Sequence, residues 1–120
     1  MEKVTGIGGV FFRAKDAGAL QDWYAVHLGV GAPPEEGEQE WHQEAGPTVF
    51  AAFGEEHRDS PHLGPLGWGV NFRVRDLDAM VAQLRAAGVE VEVDPEPYDY
   101  GRFAQLVDPE GNPVQLWQPA

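Results

Sequence analysis

Phe12-Arg13-Ala14-Lys15-Asp16 and Phe72-Arg73-Val74-Arg75-Asp76 are one pattern written twice, half a chain apart in 120 residues. Each copy is followed by a helix-like run that ends in glycine. The first run carries Leu20, Trp23, Tyr24 and Leu28 before Gly29; the second carries Met80, Val81 and Leu84 before Gly88. Repetition at a fixed period signals repeated structural units. Two similar half-modules, 1–54 and 68–120 with 55–67 as their connection, therefore make one domain, and function is expected where they meet.

Working outward, Thr5 to Ala14 reads as a strand, Asp16 as a helix N-cap and Ala17 to Leu28 as a helix. Gly29 to Gly37, with Pro33-Pro34, is a loop. Glu40 to Ala45 and Thr48 to Phe53 read as a hairpin turning at Gly46-Pro47. The order then repeats. Trp68 to Arg75 is a strand, Asp76 a cap, Leu77 to Ala87 a helix and Val89 to Val93 a short strand. Pro95 to Tyr100 is a loop. Arg102 to Val107 and Val114 to Gln118 form a hairpin through Asp108-Pro109-Glu110-Gly111-Asn112. The first copy of the third element falls somewhere in Gly31 to Glu38. Each half is thus β-α-β-β-β-like, and the fold class is α+β.

Side chains alternate between the two faces of a strand. Val10, Phe12 and Ala14, with Val70, Phe72 and Val74, form the apolar set expected to pack on the helices. Gly9, Phe11 and Arg13, with Gly69, Asn71 and Arg73, face the other way. In the last strand Val114 and Leu116 join the core set, and Gln115 and Trp117 the opposite one. A face that mixes small, polar and aromatic residues suits a ligand surface.

Composition excludes several function classes. The chain has no cysteine, so disulfides, thiolate metal sites and thiol catalysis are out. The net charge is −12 with only eight Lys and Arg, which argues against nucleic acid. An acidic surface aids solubility and, read more sharply, attracts a cationic ligand. No apolar run approaches the roughly 18 residues of a membrane span. Met1-Glu2-Lys3-Val4 lacks the apolar segment of a secretory signal, so a cytoplasmic protein is the expectation.

Three stretches together resemble the vicinal oxygen chelate superfamily, the glyoxalase/bleomycin-resistance/extradiol-dioxygenase proteins. They are Gly8 to Asp16 with Trp23-Tyr24 and Leu28-Gly29; Asn71 to Asp78; and Gly101-Arg102-Phe103 with Asp108 to Trp117. The resemblance implies two paired βαβββ modules whose curved mixed sheets enclose a cup, and a homodimer. It also implies four inward metal-ligand positions, which fall on Gly9, Gly69, the neighbourhood of Phe50, and Gln115. Three of these offer no ligating side chain, and a catalytic metal needs about three N or O ligands. The expectation is no metal and no cofactor, and fold alone does not license the family's chemistry.

The ligand-binding candidates are Phe11, Arg13, Trp41, Phe50, Asn71, Arg73, Tyr100, Arg102, Gln115 and Trp117. The aromatics among them stack planar ligands or fill the interior. The paired arginines Arg13 and Arg73 bind an oxyanion or are held in structural ion pairs, Glu44 being one partner. Arg102 reaches the cup rim or sits in solvent. His42 and Glu44 are the acid–base candidates. His27 reads as a packing residue, and His57 and His62 as residues of a surface loop.

The leading functional expectation is a metal-independent protein that holds a planar or amphipathic small molecule in the cup. The alternative is a lyase or isomerase acting on a small carbonyl or carboxylate substrate, with Arg13 and Arg73 stabilising an oxyanion. A metal enzyme with relocated ligands His42, Glu44 and Gln115 is a third reading.

Overall fold

The computed structural model describes residues 1–31 and 41–120. The third element of the first half, placed in Gly31 to Glu38, and most of the loop Gly29 to Gly37 lie outside the described residues. Among the described residues the α-helices are α1 (Ala17–Leu28) and α2 (Leu77–Ala86). Both begin at the repeated aspartate: Asp16 Oδ1 accepts from the Ala19 amide at 3.1 Å, and Asp76 Oδ1 from the Ala79 amide at 3.0 Å. These bonds satisfy one of the orphan amides of each first turn. Both end where glycine takes the left-handed conformation, and the following valine amides return to the Tyr24 and Leu84 carbonyls.

The strands are β1 (Val70–Arg73), β2 (Glu92–Val93), β3 (Gly101–Val107) and β4 (Pro113–Pro119). They make an open mixed sheet in the order β1-β4-β3-β2, with β1 parallel to β4 and the other pairs antiparallel. The Asp108-to-Asn112 turn sets the register. Val107 pairs with Pro113, which puts Gln105 opposite Gln115 and Phe103 opposite Trp117.

One face of the sheet holds the core. Leu20 and Tyr24 of α1, and Leu77, Val81 and Leu84 of α2, pack with Val91, Ala104, Leu106, Val114 and Leu116. Alternation along β4 buries Val114 and Leu116 and turns Gln115 and Trp117 to the other side. The core side also carries a polar lock. Tyr24 donates its hydroxyl hydrogen to Asp108 Oδ2 at 2.7 Å, deep in the interior. Asp108 also accepts from the amides of Glu110 and Asn112 and from Asn112 Nδ2. Glu110 reaches across and accepts from the amides of Lys15 and Asp16, at the entry of α1.

The first half departs from the sequence expectation. Among the described residues neither Thr5 to Ala14 nor the stretch up to Phe53 belongs to a strand. Phe11 is 96% exposed and Phe50 94%. The same pattern forms β1 in the second half, so the difference is local. Gly6, Gly8 and Gly9 lose much backbone entropy on ordering and bring no side chain to pack. Gly46-Pro47 and Ala51-Ala52 similarly weaken the second stretch. A strand also needs a lateral neighbour to satisfy its backbone. No helix among the described residues is long and apolar enough to cross a membrane.

Tyr24→Phe should lower the urea-unfolding free energy by about 1–2 kcal/mol at pH 7, the cost of one buried hydrogen bond to a charged acceptor. Burial, then the hydrogen bond to Asp108 and its charge, raise the Tyr24 phenol well above its ordinary value. A raised folded pKa contributes stability that is complete below about pH 10 and lost as pH rises beyond it. Wild type should therefore lose more stability than Tyr24→Phe between pH 9.5 and 11.5; parallel losses would dissociate the lock from this titration.

Candidate functional site

The sheet face turned away from the helices is organised in rungs. Cross-strand partners share a face, so β1, β4 and β3 set Asn71, Gln115 and Gln105 side by side. Two residues along, the rung is Arg73, Trp117 and Phe103. The first rung is neutral and polar. Asn71 Nδ2 donates to Gln115 Oε1 at 2.7 Å, and Gln105 Nε2 donates to the Pro61 carbonyl at 3.1 Å.

The second rung is aromatic. The rings of Phe103 and Trp117 are parallel within 4°, their centroids 6.2 Å apart. Tyr100 meets the edge of Phe103 and stacks on Tyr98 at 5.2 Å. Trp117 is oriented by its indole nitrogen, which donates to the Tyr100 carbonyl at 2.9 Å. A Cβ at Gly101 would lie 2.6 Å from that nitrogen, so the bare backbone there admits the indole. The Tyr98 hydroxyl donates to Asp94, and this bond raises the phenol's pKa.

Arg73 is held structurally, through the backbone of the Glu44 turn rather than through the Glu44 carboxylate. Its guanidinium donates to the Pro47 carbonyl, to Thr48 Oγ1 and to the Glu44 carbonyl, and so clamps the 44–48 turn to the end of the aromatic rung. Arg75 pairs with the Glu44 carboxylate at 2.8 Å. The oxyanion expectation thus meets an Arg73 whose donors already hold a turn, and Glu44 is held in an ion pair.

The other candidates scatter. Arg13 is exposed and makes no hydrogen bond or ion pair among the described residues. Phe11 and Phe50 point to solvent. Trp41 rests edge-on against Phe72, on the helix side of the sheet, away from Trp117. Arg102 also lies on that side: it pairs with Asp78 of α2 at 3.0 Å rather than reaching the cup rim, and the pairing lowers the Asp78 pKa. His42 is exposed on the stretch between Trp41 and Glu44. The structure therefore assembles Asn71, Arg73, Tyr100, Gln115 and Trp117, and adds Phe103, Gln105 and Tyr98. The signal for Phe103 and Gln105 was present in the sequence, since the hairpin turn at 108–112 dictates which residues oppose Trp117 and Gln115.

A divalent metal does not fit the positions that the resemblance assigns to it. The space a side chain at Gly69 would need is filled: a Cβ there would sit 1.7 Å from the His62 carbonyl oxygen. Gly9 has no side chain, Phe50 has no donor, and Gln115 Oε1 is engaged by Asn71. Among the described residues no three His, Asp or Glu side chains gather as a metal site. A shallow depression of roughly 490 Å³ is lined by Phe53 and by Glu56, His57 and His62 of the connection.

The glyoxalase-like domain family matches residues 9–117. The anthracycline biosynthesis protein DnrV of Streptomyces peucetius is 34% identical over 123 residues, covering 91% of this chain and 41% of that protein. Biphenyl-2,3-diol 1,2-dioxygenase of Sphingomonas paucimobilis is 43% identical over 63 residues, covering 49% of this chain and 21% of the enzyme. The chain thus spans less than half the length of these curated relatives. TnmS3, an antibiotic-binding protein from a Streptomyces species, superposes over the full length of both chains with a TM-score of 0.64 at 22% identity. That likeness is one of fold.

Gly69→Ala should destabilise the protein by about 1–3 kcal/mol, because backbone must move to admit the methyl group. At the repeat-equivalent Gly9 the added atom meets only the exposed Phe11 ring, at 3.1 Å. Gly9→Ala should change stability by less than about 0.5 kcal/mol. Thermal unfolding of the two variants checks this asymmetry; equal effects would contradict it.

Proposed function

The chain belongs to the glyoxalase-like domain family, and on that premise we propose that it binds a planar, uncharged aromatic small molecule on the rung face without help from a metal. The observation that carries this reading is the parallel Phe103–Trp117 pair beside a neutral row of three amides. Stacking on such a wall contributes about 0.5–1.5 kcal/mol per ring contact beyond area burial. The amides offer hydrogen bonds without charge, and specific pockets combine apolar walls with few placed polar groups. The antibiotic-binding relative of the same fold, and the relative from anthracycline biosynthesis, point the same way.

The acid–base alternative has less support. Its oxyanion donor Arg73 already serves the 44–48 turn, and its base Glu44 is paired with Arg75.

We also propose a homodimer of two-module chains. Phe11 and Phe50 sit exposed on stretches whose repeat counterparts lie in a sheet. A second copy is the partner that offers matching stretches, since a self-complementary contact is the commonest way to cover such residues.

Titration of tryptophan fluorescence with phenanthridine should show saturable quenching. Trp117→Ala should weaken binding at least tenfold, and Arg13→Gln should leave it unchanged; equal losses would count against an aromatic platform. Native mass spectrometry of the purified chain adds the mass of any co-purified organic molecule. Light scattering should give twice the 13.2 kDa chain mass, and Phe11→Ser with Phe50→Ser should return it to the monomer value. A wild-type monomer at micromolar concentration would remove the dimer reading.

A further inference from the structure

We propose that Gln105 and Gln115 form a split donor–acceptor pair that selects fused aromatics bearing a lactam edge, an N–H next to a C=O in one ring. This inference rests on the aromatic-platform reading above and names the class of ligand it takes.

The argument starts from which amide atoms are already engaged. A carbonyl oxygen can only accept, so the bond to the Pro61 carbonyl fixes Gln105 with its NH₂, not its Oε1, turned to the connection. Its Oε1 remains as an acceptor. Gln115 is fixed from the other side: its Oε1 accepts from Asn71 on β1. The oxygen and nitrogen of a primary amide diverge from its carbon, so with Oε1 held by β1 the Gln115 NH₂ is the group left for the β3 side. There stands Gln105, its ladder partner. No hydrogen bond joins the two glutamines among the described residues. The rung therefore presents one acceptor and one donor on neighbouring strands.

A lactam is the complement. Its N–H donates to Gln105 Oε1 and its C=O accepts from Gln115 Nε2. The Phe103–Trp117 rung begins two residues along the strands, roughly 7 Å away. That distance matches the extent of two or three fused rings, so a ligand anchored on the amides lays its distal ring against the aromatic wall. The specificity has a physical basis. A site built to hydrogen-bond a polar edge rejects an analogue that leaves those groups unpaired, more strongly than an apolar wall rejects a change of shape.

The test measures dissociation constants for phenanthridinone, N-methylphenanthridinone and phenanthridine by tryptophan-fluorescence quenching. Wild type should prefer the lactam to its N-methyl derivative by about tenfold, the worth of one hydrogen bond. In Gln105→Met that preference should collapse to within about threefold, with phenanthridine affinity unchanged. Gln115→Met should weaken both carbonyl compounds and leave the preference between them intact. This second variant retains the Gln105–Pro61 bond, so it tests the assignment even if Gln105→Met does not fold. Equal binding of lactam and N-methyl lactam by wild type, still lost in Trp117→Ala, overturns the lactam assignment and leaves the platform standing. A preference that survives in Gln105→Met also overturns it. Absence of any Trp117-dependent binding of all three compounds overturns both.

Discussion

The structure depends on a carboxylate buried without a cation. Asp108 is 3% exposed, and four hydrogen bonds converge on it, from Tyr24, the amides of Glu110 and Asn112, and Asn112 Nδ2. A buried charge is tolerable only when its lone pairs are satisfied. Here satisfying them does two things at once. The turn is fixed in the one geometry that pairs Val107 with Pro113, and α1 is tied to the sheet through Tyr24. Glu110, on the same turn, holds the entry of α1 by its backbone. The β3–β4 register, and hence the Gln105–Gln115 and Phe103–Trp117 pairs of the two rungs, follows from this one site.

What the sequence disclosed and what it withheld divide along the range of the interactions. The helices and their aspartate caps are local features, written in three to four consecutive residues, and α1 and α2 lie where Ala17 to Leu28 and Leu77 to Ala87 predict them. The β3–β4 hairpin is nearly as local, because its turn residues admit few conformations. Contacts between distant segments were not legible. Nothing in Arg73 itself says that it will grip the 44–48 turn, or in Trp41 that it will rest on Phe72 rather than near Trp117. Arg102 and Asp78 are 24 residues apart, and only the packing of α2 brings them together.

The two halves show how far a repeat constrains structure. The helices agree because their signals are internal to each copy. The strands disagree because a strand is completed by a neighbour. The second copy finds its neighbour in β4; the first has none among the described residues. The glycines sharpen the contrast. Gly69 is hemmed in by the His62 carbonyl, whereas Gly9 faces only the exposed Phe11 ring. Equivalent positions in the sequence have become unequal in space, and the face that results is built almost wholly from the second half.

The lock between the turn and α1 also has a temporal meaning. Lys15 and Asp16 bond to a residue 95 and 94 positions further along, and Tyr24 to one 84 positions away. During vectorial synthesis α1 is made well before its anchor, which follows only with the β3–β4 turn. Until that turn has been made the nascent chain carries α1 without these bonds. A chain cut before the turn keeps the α1 sequence and lacks the residues that hold its entry and its Tyr24 hydroxyl.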